Sequence, residues 1–230
     1  MNNVEPIPGL DGEKRQHVAA GLWRAWREDG RGAAVLTGFS GLGKTQQVVR
    51  PLVARATSEG IPAVHIDVQL HPTSLDQELT ELRDDGREEL AKATGNQPTF
   101  SAALRHLLRN GALVVLDEFQ RMLDPSSAKP LEPLASALRK IAQRAPDEGG
   151  FWLVSNRFVD PGWTEPFYPA ELEPPTCLDL QRIVPQGISM ASAEERFPAD
   201  RRMEVVWRLG ANPLALRLLG HLLRPHALGS

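Results

Sequence analysis

Gly38-Phe39-Ser40-Gly41-Leu42-Gly43-Lys44-Thr45 satisfies the pattern G-x-x-x-x-G-K-[ST] in full, and its surroundings decide the fold. A short apolar run, Ala33 to Thr37, precedes it, and a stretch with Val48, Val49 and Leu52 at helical spacing follows. A strand that passes through a glycine turn into a helix start is the setting in which this pattern holds phosphate. The glycines let successive backbone N–H groups point inward, and the helix N-terminus adds its partial positive charge. Lys44 is expected to bridge the β- and γ-phosphates of a nucleoside triphosphate, and the Thr45 hydroxyl to ligate Mg2+. Gly38, Ser40, Gly41, Leu42, Gly43 and Gln46 are expected to complete the cradle. Only five of the 26 basic residues are lysines, the rest arginines, so a lysine at this position is poorly explained by chance.

Three further apolar runs have the near-continuous hydrophobicity of strands buried on both faces: Ala63 to Val68, Ala112 to Asp117 and Phe151 to Ser155. Helical periodicity lies between them. Gln16 to Trp26 aligns Val18, Leu22 and Trp26; Ser74 with Gln77 forms a capping box ahead of Leu79 and Leu82; Phe100 to Arg109 and Leu134 to Arg144 supply two more crossovers. Alternating strands and helices predict an α/β fold, a P-loop core with a mostly parallel five-stranded sheet. The stretch Asp160 to Pro175 carries five prolines and the only tyrosine, Tyr168. It reads as a long ordered loop or a seam, with the fifth strand expected after it at Cys177 to Val184. Trp163, inside this stretch, is the tryptophan best placed to be a contact residue, whereas Trp23, Trp26, Trp152 and Trp207 read as core. The tail has a capping box at Ser192 and Glu195 and a helix start at Asn212-Pro213. The expected division is a nucleotide-binding domain over residues 1–185 and a small C-terminal helical lid over 186–230.

Leu113-Val114-Val115-Leu116-Asp117-Glu118 is the partner that the first motif predicts: a buried strand ending in two carboxylates at the edge where open parallel sheets bind ligands. Asp117 is expected to serve the Mg2+ ion, and Glu118 to orient or deprotonate the attacking water. At the end of the fourth strand, Ser155-Asn156-Arg157 offers a fixed positive charge that could reach the γ-phosphate. Lys44, Glu118 and Arg157 are therefore the catalytic candidates, and Thr45 and Asp117 the metal ligands. His65 and His71 have no metal-ligand spacing and read as structural or solvated. Arg24, Arg27 and Arg31, interrupted by Glu28 and Asp29, read as a solvated face.

Composition narrows the remaining classes. A net charge of −3 provides no global basic field for nucleic acid or anionic membranes. Cys177, the single cysteine, can form neither an internal disulfide nor a thiolate metal cage. No run of about 18 apolar residues exists, and Met1 to Leu10 lack a leader pattern. A cytoplasmic location and no membrane partner are the expectations.

Taken with these motifs, Leu209-Gly210-Ala211-Asn212-Pro213-Leu214-Ala215-Leu216 resembles the G-x-P motif of the STAND class of P-loop ATPases, which includes the NB-ARC and NACHT modules. Pro8-Gly9-Leu10-Asp11-Gly12-Glu13 is similar to a degenerate form of that family's amino-terminal motif. The resemblance implies a slow, Mg2+-dependent ATPase that switches between ATP and ADP, with Ile7, Gly9 and Pro213 closing over the base and ribose. It also implies control of lid position, self-association into a homo-oligomer when activated, and further sensor or effector domains or protein partners. Leu116 to Gln120, Leu-Asp-Glu-Phe-Gln, also looks like archaeal-type ATPases of the same clade. The alternative is an AAA+-like motor or loader acting on nucleic acid or protein, although no separate sequence feature supports a nucleic-acid partner.

Overall fold

A computed structural model of the protein describes residues 12–68, 100–173 and 215. Contacts divide the chain into two compact units, one of residues 16–38 and 44–172 and the other of residues 1–15, 39–43 and 173–230. The first unit holds the sheet. In chain order the elements are α1 (Gly12–Arg27), β1 (Ala33–Thr37), a π-helical turn (Lys44–Val49), α2 (Arg50–Ser58), β2 (Ala63–Asp67), α3 (Phe100–Arg109), β3 (Leu113–Asp117), a 3-10 turn (Phe119–Met122), α4 (Leu134–Glu148), β4 (Gly150–Val154) and β5 (Tyr168–Glu171).

The five strands form one sheet in the order β2-β3-β4-β1-β5, and every neighbouring pair is parallel. β3 and β4, inside the sheet, are buried at all five positions, which is why their sequences are continuously apolar. β2 lies at one edge among the described residues and alternates, with Val64 and Ile66 buried. Residues 151 and 153 of β4 face α3 and α4, where Leu104, Leu108, Leu138 and Ile141 join Phe151 and Leu153 in the main core. Trp152, one position out of phase, points the other way and meets Trp26 of α1 edge-on at 5.8 Å.

Three expectations change. The fifth strand among the described residues is Tyr168–Glu171, inside the proline-rich stretch read as loop, and it pairs with β1 in parallel from Ala34↔Tyr168 to Thr37↔Glu171. Pro169 is tolerated because β5 has a single strand neighbour among the described residues, so its missing N–H costs no ladder bond on that open side. Trp163 is core and not a contact residue: it is 5% exposed, stacks on Phe119 and Phe167, and donates its indole N–H to the Ala135 carbonyl at 3.2 Å. The helix after the glycine turn opens as a π turn and becomes α-helical at Arg50. Pro51 supplies the reason, since a proline cannot donate to the carbonyl four residues back and its ring crowds that carbonyl. The helix expected from Ser74, the strand expected at Cys177 to Val184, His71, Trp207 and the 186–230 lid lie outside the described residues.

Candidate functional site

Sheet order assembles the site. β1 is followed in the chain by β2 at the far edge, and the chain then returns through β3 and β4 before crossing to β5. The strand order therefore reverses at β1, and the crevice beyond the carboxyl ends of the strands at such a reversal is where open α/β sheets bind ligands. Thr37, Asp117, Val154 and Glu171 end β1, β3, β4 and β5 at that edge.

Within the sheet unit, Lys44, Thr45, Asp117 and Glu118 lie together. The Thr45 hydroxyl donates to Asp117 Oδ2 at 2.7 Å, so the opening of the π turn and the end of β3 meet at one carboxylate oxygen. Lys44 is buried, and its ammonium donates to the Gly38 carbonyl at 2.6 Å. Burial pushes the Lys44 pKa down, against the opposing pull of the Asp117 and Glu118 charges. Asp117 is 3% exposed. Burial alone would raise its pKa, but hydrogen bonds from His65, Thr45 and the Glu118 backbone N–H outweigh that effect and hold it below the ordinary value. Asp117 is thus kept as a carboxylate, an oxygen donor suited to a hard divalent cation. Glu118 follows in a left-handed conformation (φ 56°, ψ 31°), with its N–H on Asp117 Oδ1 at 2.9 Å.

Two glycines of the loop adopt backbone angles that other residues rarely take. Gly41 and Gly43 have φ of 81° and 95°, values that a Cβ would disfavour. In the other unit, the buried Arg15 closes its guanidinium on the Leu42 carbonyl through Nε at 3.1 Å and Nη2 at 2.9 Å. Ser40 and Gln46 are exposed, and Leu42 is buried. Arg157 is exposed, while its backbone N–H and carbonyl both bond Ser155 Oγ. Ile7, Gly9 and Pro213 lie outside the described residues.

Sequence reasoning missed three residues here. His65 Nε2 meets Asp117 Oδ2 at 3.1 Å, a contact created by the β2–β3 register. Gln120 bonds the Glu118 carboxylate. Arg15, in the other unit, carried no sequence signal, since its bonds to the Leu42 carbonyl span 27 residues. Arg24, Arg27 and Arg31 are exposed as expected, with Arg27 over the Trp26 ring and Arg31 over Tyr168. Among the described residues no group of three or more metal-ligating side chains occurs, and no helix is long and apolar enough to cross a membrane.

A family model described as an AAA domain matches residues 27–155, just over half of the chain and all of the site from β1 to Ser155. The chain belongs to the AAA domain family. It is accordingly a P-loop ATPase of AAA+ type, built on the α/β core expected from the sequence. No curated protein matches it. Among solved structures, the AAA domain protein is similar to the ORC2 protein of Aeropyrum pernix (18% identity, TM-score 0.50, 99% of this chain and 72% of that one). It is similar also to DnaA of Aquifex aeolicus (15%, TM-score 0.50, 97% and 71%), and to Cdc6p of Pyrobaculum aerophilum (15%, TM-score 0.50, 90% and 62%). At these identities the likeness is one of fold.

Proposed function

We propose that this AAA domain protein is a Mg2+-dependent ATPase that powers a motor or loader acting on nucleic acid or on another protein. The observation that carries the catalytic part is the Thr45–Asp117 bond at 2.7 Å beside the buried Lys44 ammonium. A hydroxyl, a held carboxylate and a cation converge at the switch point of the sheet.

The donors fit Mg2+: two hard oxygens from protein, with the remaining positions open to water and phosphate. Thr45 and Asp117 would hold the ion, which would supply neutralisation of the negative charge on the phosphates. Lys44, already beside the Asp117 and Glu118 charges, adds its positive charge to the phosphates when a triphosphate enters. Glu118 orients the attacking water and takes its proton, and Arg157 extends from the β4 end to the γ-phosphate. The loop N–H groups and the helix start hold the phosphates against the developing charge. Adenine is favoured over guanine because the ORC2 and DnaA structures carry ADPNP, ADP and AMPPCP and because this chain has no separate guanine-reading motif.

The AAA domain match favours the motor or loader over the STAND switch, whose distinguishing motifs, Leu209 to Leu216 and Pro8 to Glu13, lie almost wholly outside the described residues. Steady-state ATP hydrolysis with and without single- or double-stranded DNA, and with EDTA, tests the proposal. Hydrolysis that stops with EDTA and rises with DNA supports a nucleic-acid motor. Turnover unchanged by chelation overturns the metal assignment. A slow turnover indifferent to DNA, with nucleotide-dependent self-association, would favour the switch.

A further inference from the structure

We infer that Gln120 is a positioning residue for hydrolysis: its side-chain amide holds Glu118 at one end and the segment after β4 at the other. The inference rests on the ATPase reading above. Gln120 is polar yet only 8% exposed, and it sits in the 3-10 turn that follows β3. Its Nε2 donates to Glu118 Oε2 and its Oε1 accepts the Asn156 N–H at 3.1 Å. One amide thus spans two strand ends.

The backbone after β4 shows why an acceptor is needed there. Ser155 N–H bonds the Leu36 carbonyl at 2.9 Å, and Arg157 N–H bonds Ser155 Oγ at 3.1 Å. Asn156 N–H, between them and partly buried, is taken by Gln120, and a backbone donor withdrawn from water without a partner is costly. At the other end the partner is a carboxylate, which only accepts. Glutamine meets both demands with one side chain, as neither Glu nor an apolar residue of its size can.

The consequence for chemistry lies in the geometry of Glu118. Its side chain leaves a left-handed backbone (φ 56°) and is 37% exposed, so without a tether it would sample several rotamers. Gln120 engages Oε2, with Arg121 Nε 4.0 Å from the same oxygen, and leaves Oε1 to accept from a water. The bond to Asn156 also connects the Glu118 carboxylate, through one side chain, to the end of β4, which lies between β1 and β3. Gln120 need not touch nucleotide; it acts through Glu118.

The test compares wild type, Gln120→Glu, Gln120→Leu, Glu118→Gln and the double variant Glu118→Gln/Gln120→Leu in ATP affinity, kcat and thermal unfolding. Gln120→Glu keeps size and the acceptor for Asn156 N–H but removes the donor to Glu118, so it reports on positioning even where Gln120→Leu is poorly folded. Expected are falls in kcat of about 10- to 100-fold in both single variants of Gln120, ATP affinity within about threefold of wild type, and no further loss in the double variant relative to Glu118→Gln. Wild-type or faster kcat in Gln120→Glu would overturn the inference alone, as would losses that multiply in the double variant, the mark of a purely structural role. Wild-type kcat in Glu118→Gln would overturn the ATPase roles themselves, and the inference with them.

Discussion

One oxygen of Asp117 accepts from both Thr45, at 2.7 Å, and His65, at 3.1 Å. Those bonds depress its pKa despite burial, and the direction fixes the pH dependence. A carboxylate with a folded pKa below the unfolded value of ~3.9 contributes stability above that value, and the contribution is lost as pH falls through the folded pKa. Asp117→Asn is therefore expected to flatten the acid limb of the stability profile. Circular dichroism across an acid titration checks this; an acid limb as steep in the variant as in wild type would contradict it. Asp117 was legible from the sequence because its signal is local, an apolar strand ending in acids. His65 was not. Its partner in register is Val115, and Asp117 is the diagonal neighbour two residues on, on the same face, a relation that exists only once β2 and β3 have paired.

Close backbone approach limits what the elements of the sheet tolerate. A Cβ on Gly32, just before β1, would stand 2.3 Å from the Ala145 carbonyl oxygen of α4, and backbone cannot move aside cheaply. Gly32→Ala is expected to destabilise by about 1–3 kcal/mol, read as a lower urea midpoint with an unchanged slope; a wild-type midpoint would show that the helix and strand are less closely apposed. The same dependence on neighbours explains which elements could be read in advance. β1, β3 and β4 announce themselves because strands flanked on both sides and covered on both faces must be apolar throughout. β5 does not, because a strand of four residues, Tyr-Pro-Ala-Glu, at the edge of the sheet among the described residues, alternates weakly and contains a proline, which an edge position tolerates. The π turn was hidden likewise, since Pro51 reads equally as the first turn of an α-helix.

Binding of one ligand to the folded chain stabilises all of it by linkage, by about 2.7 kcal/mol at a ligand concentration 100 times Kd. For a protein of this size that corresponds to a rise of roughly 5–10 °C in Tm. ATP with Mg2+ is expected to raise the Tm of wild type by this amount and that of Lys44→Ala by no more than about half as much at the same concentration; differential scanning fluorimetry reads both. The placement of Lys44, Thr45 and Asp117 together was legible at this level because one contiguous motif and one strand end carry it. Selection of the base rests on resemblance alone, since Ile7, Gly9 and Pro213 are scattered and lie outside the described residues. The central claim is that the glycine loop and its buried lysine hold a triphosphate. Calorimetric titration of ATP and Mg2+ into wild type, Lys44→Ala and Glu118→Gln tests it most directly. Wild type and Glu118→Gln should bind with similar affinity and Lys44→Ala at least about tenfold more weakly, a difference of about 1.4 kcal/mol; equal affinity in wild type and Lys44→Ala would contradict the account.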